Sequence, residues 1–387
     1  MIFATLRAAR SGIAAFTAMG VLWGSFAACL PDIIAMLGIN EARFGLLLLM
    51  TPIAAVLAML MAPRIGAALG PVALPVAVGL MGLAFALPGH ATTLILFPLA
   101  MLACGAATGL TDVLMNARVV AVESARGLPL MNLTHAAYSF GYAGGAIATG
   151  VMRSAAWSPA WVLGTMAMVV LVLAILAIER DGAIDGLVQP QGQASALGWL
   201  PLIGGGMVLI AFMTENAAEN WSALHIEKTL GGSPAEGAMG PATLALTMGV
   251  ARLVGQGMAT RVNPMTLLRT GAVISAMGAL IAAMATSPAM AYAGFIIMGI
   301  GSSVIAPTAF SLVGQMATPQ ARARAIARAT LYGYFGYFFG PPMLGFIAGT
   351  FGLRAAFIFT ACLLLVILAL VALMLRQTAR TTRSAPG

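Results

Sequence analysis

Long apolar runs, broken by short stretches of charge, Pro or Gly, recur along the whole chain. They predict helices at 11–36, 43–62, 71–88, 92–119, 128–152, 157–178, 199–224, 238–260, 265–286, 289–315, 323–350 and 353–376. A helix rises about 1.5 Å per residue and a bilayer's hydrocarbon core is about 30 Å thick, so about 20 apolar residues cross it. Each run is close to that length. The runs are continuous and not alternating, which excludes a transmembrane β-barrel. The first run follows Arg7 and Arg10 and outlasts the apolar core of a signal peptide, about 7 to 15 residues, so it reads as a retained first helix.

The most polar connection, 179–196, holds Arg180, Asp181, Asp185 and a Gln/Pro/Gly stretch close to mid-chain. It reads as a linker between two six-helix halves, 1–178 and 197–387. The halves look related. Met61-Ala62-Pro63-Arg64-Ile65 recurs as Met258-Ala259-Thr260-Arg261-Val262, and Phe140-Gly141-Tyr142 with Gly145 recurs as Phe335-Gly336-Tyr337 with Gly340. The separations, 197 and 195 residues, agree within a small indel. The predicted fold class is therefore an all-α membrane protein with 12 transmembrane helices in two pseudo-symmetric six-helix bundles. Parallel repeats of this kind are a transporter architecture, with the substrate site near the bilayer midplane between the halves.

Composition sharpens this picture. Of the 387 residues, 61% are hydrophobic and 8% charged, where soluble domains devote about a quarter to charge, so a separate soluble domain is excluded. A formal net charge of +8 raises the question of nucleic acid, but the arginines sit at the ends of apolar runs and not along a polar face. They mark topology. With both termini cytoplasmic, the inside segments hold 14 basic residues and the outside only Arg43, Arg153, Lys228 and Arg354. That asymmetry fits an even helix count and a multi-pass membrane protein with both termini inside. Cys29, Cys104 and Cys362 fall inside apolar runs, which argues against a disulfide framework or a zinc site. No phosphate-binding loop, metal-ligand spacing or nucleophile triad is present, so neither an enzyme nor an ATP-driven pump is expected, and no cofactor.

Asp112-Val-Leu-Met-Asn116, Asn132-Leu-Thr-His135 with Tyr138-Ser139, and Glu219-Asn220-Trp221-Ser222 complete the pattern. Together with the two related halves, the chain resembles the major facilitator superfamily over essentially its whole length, in a bacterial branch allied to fucose-type sugar permeases. The family's loop signature between helices 2 and 3 survives only as Pro63-Arg64-Ile65-Gly66 with Gly70, without its acidic residue, and the copy near Arg261 and Arg269 is equally eroded. A Gly-Pro pair of the antiporter type is absent from helix 5 and present as Gly340-Pro341 on helix 11, which argues mildly against drug/proton antiport.

Ionisable groups at bilayer depth are functional candidates by default. Asp112, His135 and Arg252 lie at similar depths from the cytoplasmic side. The resemblance implies that helices 4, 5 and 8 bring them together at the inner gate, with Arg252 and Asp112 as its charges. A carboxylate beside an imidazole or guanidinium suits a proton relay; a static polar clasp is the alternative. Glu215 and Glu219 are i,i+4 on helix 7, a pair suited to proton coupling, with Glu219 and Asn220 otherwise at a wet helix end. Asp32, after Pro31, is either a loop-facing cap or a pathway residue, and His90 and His225 fall at solvated helix ends. Substrate recognition is expected from Trp23, Asn116, Asn132, Tyr138, Asn216, Asn220, Trp221 and Tyr334.

The expected function is secondary active transport of a small polar, sugar-like solute by alternating access, coupled to protons, by a monomer in the lipid bilayer. An exporter of amphipathic compounds by proton antiport, or a membrane sensor without turnover, are the alternatives.

Overall fold

The computed structural model describes residues 6–128, 130–184, 199–255, 262–317 and 321–383. Its helices are α1 (Arg10–Leu37), α2 in two consecutive pieces (Glu41–Leu48 and Met50–Leu69), α3 (Ala73–Ala86), α4 (Leu96–Arg126), α5 (Met131–Ser154) and α6 (Pro159–Leu176). The second series is α7 (Leu200–Leu224), α8 (Pro234–Gly255), α9 (Pro264–Met284), α10 (Pro288–Met316), α11 (Arg322–Phe351) and α12 (Leu353–Arg383). Among the described residues, nine segments are long and apolar enough to cross a membrane, one of which covers both α2 and α3. The remaining two long helices, α5 and α11, are the symmetry-related pair that carries the Phe-Gly-Tyr repeats.

Helix ends follow local chemistry more than the apolar runs. Beyond its expected end, α4 continues to Arg126 and stops at Gly127, whose φ of 64° is the left-handed conformation that glycine adopts freely. The charges there mark where the chain leaves hydrocarbon, while the helix runs on. In α8 the start comes at Pro234, earlier than expected, because Ser233 and Glu236 form a capping box: the Ser233 amide donates to Glu236 Oε2 at 2.7 Å. The linker expected at 179–196 lies outside the described residues from 185 onward, as does the repeat copy at 258–261.

Within each bundle, glycines let backbones touch. Lipid tails are as apolar as leucine, so membrane helices associate through close packing and not through a hydrophobic driving force. On α1, Gly20 and Gly24 lie against the Tyr138 and Tyr142 backbone of α5, and α5 answers with Gly141 and Gly145 against Thr17 and Val21. A Cβ on Gly24 would come within 2.7 Å of the Tyr142 carbonyl carbon. Six helices later the contact recurs: Gly336 of α11 packs on Leu209 and Met213 of α7, and Gly340 on Met213 and Asn216. The sequence repeat is thus a packing repeat.

The two bundles meet mainly through α5 against α8 and α2 against α11. Chain direction places these contacts. The termini lie at one end of the bundle, and the α1–α2, α5–α6 and α7–α8 connections at the opposite, far end. Gly45 of α2 touches Pro341 and Gly345 of α11 near that end, where a Cβ on Gly345 would lie 2.6 Å from the Glu41 carbonyl oxygen.

Candidate functional site: a carboxylate-lined cavity closed at one end

A cavity of about 400 Å³ lies between the bundles, lined by α1, α2, α4 and α5 on one side and α7, α8 and α11 on the other. Asp112 and Asn116 of α4 enter it one turn apart. The Asn116 amide donates to Asp112 Oδ1 at 3.1 Å and also to the Asp112 carbonyl at 2.8 Å. The other carboxylate oxygen accepts from the Tyr334 hydroxyl of α11 at 3.2 Å, a hydrogen bond that joins the bundles.

On α7, Glu215 and Asn216 are buried and Glu219 partly so, and all three face the cavity with Asn220. Arg252 of α8 stands 3.6 Å from Glu215 Oε1, an ion pair too long to be a hydrogen bond. Glu219 has no hydrogen-bond or ion-pair partner among the described residues, and neither Glu215 Oε1 nor Asn216 Oδ1 has a hydrogen-bond partner. The hydroxyls of Thr51 and Thr108, also on the wall, are buried and unpartnered too.

Aromatic rings complete the wall. Trp23 packs edge-on against Phe85 at 5.0 Å between centroids, Tyr138 and Tyr142 are 6.0 Å apart, and Phe212 stacks on Tyr337 at 4.8 Å. His135 sits edge-on to Phe16 at 4.9 Å.

Eleven of the residues singled out from sequence therefore face one cavity: Trp23, Asp112, Asn116, His135, Tyr138, Glu215, Asn216, Glu219, Asn220, Arg252 and Tyr334. The expected three-way meeting of Asp112, His135 and Arg252 is not formed. Arg252 turns to Glu215 on the neighbouring helix, and Asp112 is held by Asn116 and Tyr334. Two expected recognition residues lie elsewhere. Asn132, in the first turn of α5, is exposed. Trp221 is 1% exposed and packs edge-on to Phe44 in the core, because its position on α7 faces α2 and α11 and not the cavity. His225 is fully buried, not solvated, because α7 continues through a π-helical turn, His225–Thr229, that carries it against Phe357. The same continuation keeps Glu219 and Asn220 away from any helix end.

The far end of the cavity is shut by charges that sequence reasoning had assigned to loops. Arg153, in the last turn of α5, has a side chain only 1% exposed. Its Nε and Nη2 donate to the two Asp32 oxygens at 2.7 Å each, and Nη1 donates to the Ala28 carbonyl at 2.8 Å. Nη1 and Nη2 also donate to the two Glu227 oxygens at 2.7 and 2.9 Å. All five guanidinium N–H groups are thereby used. Asp32 and Arg153 belong to the first bundle and Glu227 to the second, so this is a clasp across the interface. Lys228 adds a second link to Glu41 of α2. Gly237 of α8 makes room for the clasp, since a Cβ there would come within 2.6 Å of Glu227 Cγ. Arg153 and Lys228 were discoverable: they are basic residues on the side that the charge asymmetry leaves poor in them, with acids in neighbouring loops to meet them.

Known proteins bear on this geometry. The Major Facilitator Superfamily model matches residues 203–387. An uncharacterised MFS-type transporter of Yersinia pestis is 32% identical over 362 residues, 92% of this chain and 92% of that protein. Among solved structures, a D-xylose–proton symporter matches 96% of this chain and 97% of its own at 15% identity, with a TM-score of 0.74. A bacterial homologue of the human lysosomal transporter Spinster, in an inward-facing and occupied conformation, matches 95% and 96% at 15% identity, with a TM-score of 0.73. The last two show the shared fold; with the full-length relative at 32% identity, they establish that this chain belongs to the major facilitator superfamily of transporters.

Proposed function

We propose that the protein carries a small polar solute across the bacterial inner membrane by alternating access, coupled to protons. One observation supports this above the others: three carboxylates, Asp112, Glu215 and Glu219, line a cavity between two bundles that charged side chains able to part clasp together at one end. Carboxylates at bilayer depth are retained where they face a water-filled path and move charge. With both termini cytoplasmic, as the arginine asymmetry indicates, the clasped end is the outer one and the conformation is inward-facing. The halves 1–178 and 197–387 then rock about the cavity, joined by the 179–196 linker, in a protein that works as a monomer. The sugar-like substrate follows the resemblance to fucose-type permeases, and the symporter that shares this fold handles D-xylose and protons.

In this reading Glu219 and Glu215 take up the coupling proton with Asp112 and His135. Arg252 and Asp112 form the inner gate once the bundles close at the terminal end, and Trp23, Asn116, Tyr138, Asn216, Asn220 and Tyr334 orient the solute. The test is uptake of radiolabelled solutes, starting with monosaccharides, into proteoliposomes with a pH-sensitive dye inside. Solute entry should acidify the lumen, and Glu219→Gln should abolish the acidification. Uptake that is unchanged when an ionophore collapses the pH gradient, with no dye response, would refute proton coupling.

A further inference from the structure

The polar groups of the cavity are unevenly matched. Three carboxyl groups face it against one guanidinium, that of Arg252, so in their ionised form they repel a carboxylate or phosphate and attract positive charge. The three are not equally provided for. Asp112 accepts from Asn116 and Tyr334; Glu215 has Arg252 at 3.6 Å without a hydrogen bond; Glu219 has neither kind of partner among the described residues. Two of the orphaned atoms beside them, Glu215 Oε1 and Asn216 Oδ1, can only accept, and both belong to residues more than nine-tenths buried. A neutral hydroxyl brings one donor to these acceptors, with lone pairs that suit the Thr51 and Thr108 hydroxyls. An ammonium group brings three donors and no acceptor.

The rings point the same way. Tyr138 and Tyr142 of α5 and Tyr337 of α11 all lie within electrostatic reach of Glu219, and Phe212 stacks on Tyr337. Aromatic faces attract cations, by about 0.5 to 2 kcal/mol when water is excluded. An ammonium that enters this cavity therefore finds carboxylates with aromatic rings beside them, from α5 of one bundle and from α7 and α11 of the other. The volume of about 400 Å³ falls at the small end of the range for small-molecule sites, about 300 to 1,000 Å³.

We propose that the solute carried by this cavity is a small organic amine in its protonated form, with its ammonium group held by Glu215 and Glu219 between the tyrosines of α5 and α11. This rests on the transport reading above and names the substrate class of the same site.

The experiment compares matched pairs that differ in the charged nitrogen alone: 2-phenylethylamine with 2-phenylethanol, and glucosamine with glucose. The readout is the Tm of the purified full-length protein in detergent at pH 7, with each probe at about 10 mM. Binding to the folded state raises Tm by mass action. The amines should raise Tm by a few degrees and their neutral partners by much less, and Glu219→Gln should remove most of the amine shift. Glu219 has no partner to lose, so this variant is expected to keep the wild-type elution profile and basal Tm. Glu215→Gln, which also releases Arg252, serves as the second variant. Equal shifts from amine and neutral partner, an amine shift that survives both substitutions, or no amine shift at all would each overturn the proposal. Alternating access is judged separately, by the distance measurement across the clasped end described below, which needs no ligand.

Discussion

Glu227→Gln should release the far end of the molecule. Glu227 lies on the second bundle and both its oxygens accept from Arg153 on the first, at 2.7 and 2.9 Å. The Arg153 side chain is 1% exposed and that of Glu227 15%, so the pair is shielded from water. Truncating one partner of a buried, hydrogen-bonded charge pair costs about 2 to 5 kcal/mol. Glutamine keeps the shape and one acceptor oxygen, so the lower end, about 2 kcal/mol, is the appropriate figure, about 30-fold in an equilibrium constant. The whole of it falls on the clasped conformation, because the two residues belong to bundles that part when the far end opens. If the clasped form of the wild type outnumbers the open form by about 100 to 1, the variant brings the ratio near 3 to 1, and the open population from about 1% to about a quarter.

Asp32→Asn should do less. Asp32 shares a bundle with Arg153, so their bond persists in both conformations and its loss falls on both alike. Spin labels at Thr92→Cys and Thr286→Cys, exposed positions at the far ends of opposite bundles, report the opening by pulsed dipolar spectroscopy. Cys362 is exposed and is replaced by Ser in the background, while Cys29 and Cys104 are buried. A long-distance population should appear in Glu227→Gln and be smaller in Asp32→Asn. Identical distance distributions in wild type, Glu227→Gln and the Asp32→Asn/Glu227→Gln double variant would show that the clasp holds nothing.

Other expectations follow from the same geometry. Gly237→Ala, which changes no charge, should shift the spin-label distances in the direction of Glu227→Gln, since its Cβ would press on Glu227. Gly145→Ala drives a methyl to within 2.9 Å of Val21 Cα and should lower Tm by roughly 3 to 10 °C, as overpacking by about 1 to 3 kcal/mol does, whereas Gly144→Ala, with open space around it, should leave Tm within about 2 °C. Arg354 donates to the carbonyls of Ala283 and Ala285 at the end of α9, at 3.0 and 2.8 Å; Arg354→Met strands both, at about 1 to 3 kcal/mol, and should lower Tm measurably in the same assay.

The sequence made legible what depends on pattern. Twelve runs became twelve helices, and the paired Phe-Gly-Tyr segments proved to be one packing solution used twice, because a glycine placed against a neighbour's backbone leaves the same mark wherever it occurs. Carboxylates stranded in apolar runs pointed to the cavity, since little else keeps Asp112 or Glu215 at that depth. What stayed hidden depends on helix rotation and on partners distant in the chain. Arg252 lies 37 residues from Glu215 and 140 from Asp112, and spacing cannot rank one carboxylate above the other. Trp221 and Trp23 look equivalent as tryptophans on helices 1 and 7, yet the first faces α2 and α11 and the second the cavity. The clasp went unread for a different reason. As topology markers Arg153, Lys228 and Arg354 count only as the few basic residues of the outer side, and each proves to be structural: two join the bundles and one caps a helix.

The division of labour between packing and charge has a physical logic. Inside each bundle, α1 meets α5 and α7 meets α11 through backbones in contact over glycine, and separating them would lose that close packing with nothing gained in return from lipid. Between bundles the far end is held by the Arg153 and Lys228 pairs, groups that water solvates well once the end opens, so much of what is lost in the contact returns as hydration. Glycine contacts also cross the bundles there, Gly45 against Pro341 and Gly345, and Gly150 of α5 against Ala235 and Ala238 of α8, and each contributes only the van der Waals attraction of a small patch. The two conformations can therefore lie within a few kcal/mol of each other, a gap of the size that ligand binding is able to tip. Replacing the charge pairs with well-packed leucines would be expected to fasten the far end more tightly, and to stop transport by doing so.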